Sequence, residues 1–170
     1  MANNGVHALD IARWGLQVDY PSRVTYIGDR YNFDDDQETP DTGVAQFHCG
    51  DVGISWDGSS CQRRNEENLA FCAFYGEHGV MAFDTAGYKV YDLDGPLGDK
   101  LAGTPGDVPH FQNFCDAIRK NTPLRQDIEE GQKSTQWCHL GTMAYRTNSV
   151  VEADPKTGRV LKKPTAMKRW

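Results

Sequence analysis

Apolar and polar positions alternate along this chain in two rhythms, and each rhythm predicts a kind of element. Val6, Leu9, Ala12 and Leu16 recur at three- and four-residue steps, which predicts a helix from Asn3 or Asn4 to about Leu16, ahead of Tyr20-Pro21. Period-two alternation then predicts strands at Arg23–Tyr31, Gly43–Cys49 and Val52–Trp56, the last two forming a hairpin around Gly50-Asp51. In that hairpin Val44, Gln46 and His48 share one face, and Ala45, Phe47 and Cys49 the other. Leu69–Tyr75, Val80–Phe83 and Tyr88–Leu93 read as three strands joined by the tight turns Gly76–Gly79 and Thr85–Gly87, an antiparallel meander. Asn32–Thr42, Gly58–Asn68 (with Arg63-Arg64 and Glu66-Glu67) and Asp94–Gly106 lack a rhythm and read as surface connections.

Helical spacing returns after Asp107. Val108, Phe111, Phe114, Cys115 and Ile118 mark a helix that tolerates Pro109 in its first turn and ends near Asn121-Thr122-Pro123. Asp127 and Glu130 resemble a capping box opening a last helix to about Arg146, with Gly131, Ser134, Cys138, Gly141 and Ala144 as a stripe of small residues suited to close packing. Asp154–Gly158 is a turn, and 155–170 reads as a tail. One helix, about six strands and then two helices predict a single α+β domain over 1–170: a mainly antiparallel open sheet with helices on one face. Aromatic residues fall on both alternating sets of several strands, so the other face is expected to be an oligomer interface.

At 170 residues the chain is long enough for a sizeable core. Its net charge of -6 and the run Asp34-Asp35-Asp36 argue against nucleic acid or an anionic membrane as partner; the basic pairs Lys162-Lys163 and Lys168-Arg169 read as a solvated end. No apolar run approaches the ~20 residues of a membrane span. Cys49, Cys61, Cys72, Cys115 and Cys138 include no C-x-x-C pair and read as reduced thiols, so the expected compartment is the cytoplasm, with an export signal on a longer protein left open.

No two glycines are separated by a single residue, which removes the G-x-G-x-x-G fingerprint of dinucleotide sites. No histidine pair has metal spacing: His48, His78, His110 and His139 stand singly. The best catalytic candidate lies on the first helix, where Asn3, His7, Asp10, Ile11 and Trp14 fall within a wedge of roughly 100°. A histidine there exchanges protons near neutral pH, and a carboxylate three residues on is placed to orient it. On residue types alone, a histidine and aspartate on a helix also fit a surface or capping pair. His139, in the middle of the last helix, is either a packed residue or a second group facing the same cleft.

Four stretches, in order, carry a family resemblance. Asn4-Gly5-Val6-His7-Ala8-Leu9-Asp10-Ile11-Ala12-Arg13-Trp14 is similar to the G-x-H-x-x-D-x-x-R-W helix of the Gfo/Idh/MocA oxidoreductases. Glu38–Thr42, His110–Arg119 and Glu130–Arg146 resemble the family's first inter-strand loop, its H-x-x-N-F-x-D-x-I-R helix and its last helix. The resemblance implies the C-terminal, substrate-binding and oligomerising domain of an NAD(P)-dependent enzyme acting on a sugar, polyol or related compound. It also implies that the N-terminal Rossmann domain, which would hold NAD or NADP, lies outside this chain, so that the chain alone binds no cofactor and is inactive. By the same resemblance His7 is the acid/base, and Asn3, Asn4, Asp10, Trp14 and His139 are expected around the substrate. Many members carry an aspartate four residues before the histidine, where this chain has Asn3. Two alternatives stand beside this reading: the same domain of an NAD-dependent glycosidase, and a free-standing binding or scaffold module.

Overall fold

In a computed structural model the chain is described over residues 1–59, 61, 70–84, 87–94, 97–102 and 106–162. The expected loop charges Arg63-Arg64 and Glu66-Glu67, the strand start at Leu69, the turn residues Thr85-Ala86 and the basic end Lys163, Lys168 and Arg169 lie outside those residues. Eleven elements follow in order among the described residues. They are α1 (Ala2–Leu16), β1 (Arg23–Asp29), β2 (Thr42–Cys49), β3 (Val52–Ser59), β4 (Cys72–Gly76), β5 (Gly79–Asp84), β6 (Gly87–Asp92), β7 (Leu97–Ala102), α2 (Val108–Lys120), α3 (Ile128–Thr147) and β8 (Val151–Glu152). The α+β class with open antiparallel strands is the one the sequence predicts, although the expectation was a single sheet of about six strands. The strands form two four-stranded sheets, β3-β2-β1-β8 and β4-β5-β6-β7, and contacts group the chain into two compact units, Met1–Arg63 with Glu129–Trp170, and Arg64–Ile128.

The first unit is built on the predicted hairpin. Phe47 pairs with Ile54 and Val24 with Phe47 across neighbouring strands. Ala45, Phe47, Ile54 and Val24 are buried, whereas Val44, Gln46 and His48 are exposed, which is the facing the alternation gives. Gly50 turns the hairpin at φ +67°. α3 lies on the buried face: Trp137 is fully buried 5.1 Å from the Phe47 ring, and Tyr145 meets Tyr26 edge-on at 5.4 Å. The Trp137 indole N–H donates to the Asp19 carbonyl at 2.9 Å, so this large apolar side chain buries no unmet donor. The small-residue stripe on α3 does what its spacing suggests. Ser134, Cys138, Gly141 and Ala144 are all buried, and a Cβ on Gly141 would fall 2.5 Å from the Met1 sulfur.

Several boundaries differ from expectation: β1 stops at Asp29 instead of Tyr31, and β3 runs on past Trp56 to Ser59. α1 begins at Ala2 with Met1 in the cap position and no side-chain cap, so Asn3 and Asn4 lie inside its first turn. Packing decides this: Met1 is drawn in by Gly5, whose N–H donates to its carbonyl at 2.7 Å, and by Gly141. Leu97–Ala102, read as loop, is strand β7. Its composition carries no β signal, and it is held by pairing with β6, interrupted by a bulge between Lys89 and Tyr91. β8 was also unmarked, being two residues long. After the expected turn, Ala153 bridges Val160 and the Leu161 N–H donates to the Glu152 carbonyl at 2.9 Å, so the start of the expected tail returns as the arm of a short hairpin.

The second unit contains the expected meander. Phe74, Met81 and Val90 line up across β4, β5 and β6, next to Cys72, Phe83 and Tyr88. No described residue of this unit is fully buried. α2 has its predicted span and apolar stripe, yet Val108, Phe111, Phe114 and Ile118 are all exposed.

Candidate functional site

α1 has two faces of different character. Inward it presents Gly5, Leu9, Ala12 and Arg13, all buried. The arginine is the exception to an apolar list, and its surroundings explain its burial. Its Nε donates to Ser134 Oγ at 3.1 Å and its Nη2 to Glu130 Oε2 at 2.6 Å. Asp10 Oδ1 lies 3.6 Å from the same nitrogen, and the Ser134 hydroxyl donates to Asp10. A guanidinium carries a fixed fork of donors that cannot be neutralised, so burying it requires acceptors in this arrangement. Lys133 extends the network from α3, donating to Glu130 Oε1 and to Asp19 Oδ1, both at 2.8 Å. Hydrogen bonds from Lys133 first and Arg13 second hold the Glu130 carboxyl below its usual range; Asp19 first and Glu130 second raise the Lys133 ammonium.

Outward, α1 presents Asn3, His7 and Trp14, all exposed, Trp14 at 70%. The predicted wedge is therefore a solvent-facing surface on a helix whose other side is locked to α3 and β3. Asp10 sits at the boundary, part-buried, with its carboxylate engaged by Arg13 and Ser134. His139 is exposed on α3, and no hydrogen bond or ring contact joins it to His7. Nothing is described of the Asn4 side chain beyond its place in the first turn of α1.

Sequence reasoning missed the Arg13–Glu130–Lys133–Asp19 network. Arg13 and Asp19 lie more than a hundred positions from Glu130 and Lys133, and a capping-box reading had already accounted for Glu130. It also missed a loop clamp beside the sheet. The Asp41 carboxylate is 1% exposed and accepts the backbone N–H groups of Tyr31, Asn32 and Phe33 at 3.1, 2.9 and 3.1 Å, and the Thr42 hydroxyl at 2.9 Å. These bonds, the one from Asn32 foremost, bring its pKa down to about 2. The clamp folds the acidic β1–β2 connection back on itself. Next to it, a cleft of about 530 Å³ opens along β1 from Tyr26 to Asp29 and is walled by Tyr145 and Arg146 of α3 and by Asn148 just after it. Among the described residues, no helix is long and apolar enough to cross a membrane, and no group of three or more histidine, cysteine or carboxylate side chains is placed to hold a metal.

No protein family matches the sequence, and no curated protein does either. Solved structures do share the fold. A Thermotoga maritima protein described as an oxidoreductase superposes with a TM-score of 0.70 at 16% identity, over 87% of this chain and 45% of its own. The aldose-aldose oxidoreductase of Caulobacter crescentus, in complex with glycerol, gives 0.65 at 15%, over 87% and 45%. The WlbA dehydrogenase of Bordetella pertussis, in complex with NADH and UDP-GlcNAcA, gives 0.57 at 15%, over 89% and 44%. The chain thus spans about half the length of the structures it matches, and the fold is the one implied by its motif resemblance.

Proposed function

We propose that this chain is the substrate-facing half of an NAD(P)-dependent oxidoreductase acting on a hydroxyl or carbonyl of a sugar, polyol or related compound. One observation carries the reading: the fold is shared with half of several oxidoreductases, and on it His7 stands exposed on a helix whose inner face is fixed. In this reading His7 takes or returns the proton at the reacting oxygen. Asn3, Asn4, Trp14 and His139 line the approach, Asp10 holds the helix face beneath them, and the sheet supplies a homo-oligomer contact.

Two features support placing the dinucleotide outside this chain: the glycine fingerprint is absent, and Asp107 and Asp127, Glu129 and Glu130 stand at the starts of α2 and α3, where they disfavour a pyrophosphate. In this reading NAD or NADP is held by a Rossmann domain outside this chain, and the chain alone is expected to be inactive. Calorimetry of the chain against NADH tests this half of the reading, with no binding expected; tight binding overturns it. The other half is tested by His7→Ala in an enzyme containing the Rossmann domain. A fall in kcat of about 10²–10⁴ is expected for loss of an acid/base, and unchanged turnover refutes the role.

A further inference from the structure

The cleft of about 530 Å³ beside the Asp41 clamp is lined by no described residue of α1, so it stands apart from His7. Its volume falls in the range of small-molecule sites, ~300–1,000 Å³. The tyrosines at 26, 31 and 145 all line it, and their surroundings fix them in place. Tyr145 meets Tyr26 edge-on, and Tyr26 lies so close over Gly43 that a Cβ there would fall 2.5 Å from its hydroxyl. The clamp holds the Tyr31 backbone N–H, while the residue as a whole is 71% exposed. Asn148 leaves α3 in the left-handed conformation at φ +46°, and its backbone N–H donates to the Tyr145 carbonyl at 3.0 Å, so the turn does not use its side-chain amide. Among the described residues that amide and the hydroxyls of Tyr26 and Tyr145 make no hydrogen bond, and Asp29 accepts only the Arg30 N–H, through Oδ1.

We propose that this cleft binds an uncharged polyhydroxylated compound, a sugar or polyol, at a site separate from the reacting face of α1. Each hydroxyl of such a compound donates and accepts, and its ring carbons present a flat apolar face. The phenols and the Asn148 amide supply donors and acceptors, Asp29 supplies an acceptor, and the Tyr31 ring supplies an apolar platform. Burial raises Tyr26 to about 12, with Tyr145 beside it adding to the effect, and burial followed by the Asp29 charge raises Tyr145. Both phenols therefore stay protonated and able to donate at neutral pH. The charges select against anions. Arg146 faces Glu38 at 3.3 Å and Arg30 faces Asp35 at 2.6 Å, whereas Asp29 has no ion pair among the described residues. The balance is negative, and a phosphorylated sugar meets it with like charge. The site does not depend on the redox reading.

The test titrates the isotopically labelled chain with glucose, sorbitol and maltose, followed by amide NMR. At least one of them should shift the amides of Tyr26, Asp29, Tyr145 and Asn148 saturably, with a Kd in the millimolar range or tighter. Tyr31→Ala removes the exposed ring, and Asn148→Gly removes the amide while keeping the left-handed turn. Each should weaken binding about fivefold and leave the spectrum of the core intact. Glucose 6-phosphate should shift the same amides less than the neutral sugar does at equal concentration. The proposal is overturned if none of the three compounds gives a saturable shift. Shifts centred on α1 overturn it as well, since they assign the sugar to the His7 face. So do unchanged affinity in both variants and equal binding of glucose 6-phosphate.

Discussion

Arg13→Met removes a buried charge while keeping most of the side-chain stem, and its effect follows from the exposure of the partners. The Arg13 side chain is 6% exposed, but Asp10 and Glu130 are 35% and 37% exposed. A pair dehydrated on both sides loses about 3–5 kcal/mol when one partner is removed, and a surface pair about 0–1. Here water can return to both carboxylates, and Glu130 keeps its bond from Lys133. The stem of methionine keeps most of the apolar surface that the arginine methylenes buried. The expected loss is therefore intermediate, about 2 kcal/mol. Urea unfolding followed by circular dichroism and tryptophan fluorescence measures it. Glu130→Gln combined with Arg13→Met should lose less than the sum of the single changes, with a coupling of about 1 kcal/mol. A loss below about 0.5 kcal/mol for Arg13→Met, or strict additivity in the pair, would show that the network is not what holds α1 to α3.

Phe47→Ala opens a cavity beneath Trp137 and should cost about 3–5 kcal/mol in the same unfolding experiment, with a red-shifted tryptophan emission. Two glycine substitutions should move in opposite directions. Gly131→Ala meets nothing within 4 Å on α3 and should stabilise by about 0.5–1 kcal/mol, whereas a Cβ on Gly28 would lie 2.5 Å from the Thr42 carbonyl oxygen and should force β1 and β2 apart, lowering Tm. The Asp41 clamp makes the β1–β2 connection acid-sensitive. Its pKa falls from 3.8 to about 2, so its contribution is complete above pH 3.8 and disappears as pH falls through about 2. Asp41→Asn should flatten that part of the stability–pH curve; a curve unchanged by the substitution would show the clamp to be idle.

What could be read in the sequence was what local periodicity encodes. The α1 faces, the β2–β3 hairpin with its burial pattern, the β4–β6 meander and the spans of α2 and α3 depend on neighbours in the chain, and each is where its rhythm places it. β7 and β8 depend on their partners instead. Leu97–Ala102 has neither alternation nor β-branched residues, and only the ladder from β6 makes it a strand. The division into two sheets was likewise hidden, because strand order within a sheet is a long-range property. At the site, the exposure of His7 and Trp14 followed from the helical wheel. The burial of Arg13 did not: the same wheel that faces His7 outward places an arginine inward, and only Ser134 and Glu130 explain why it stays there.

That pairing bears on the proton-transfer role proposed for His7. Where many members of the family it resembles carry an aspartate ahead of the histidine, this chain has Asn3, and Asp10 is the acidic residue left on that face of α1. The geometry gives Asp10 a different task, since its carboxylate is bound by the Ser134 hydroxyl and lies against the Arg13 guanidinium. In the role proposed for His7, Asp10 is therefore assigned to the helix packing rather than to the proton transfer. Asp10→Asn should therefore act on the unfolding free energy through Arg13 far more than on proton transfer at His7. Measuring both on one variant separates the two tasks of the helix: a large loss of turnover at unchanged stability would assign Asp10 to the chemistry after all.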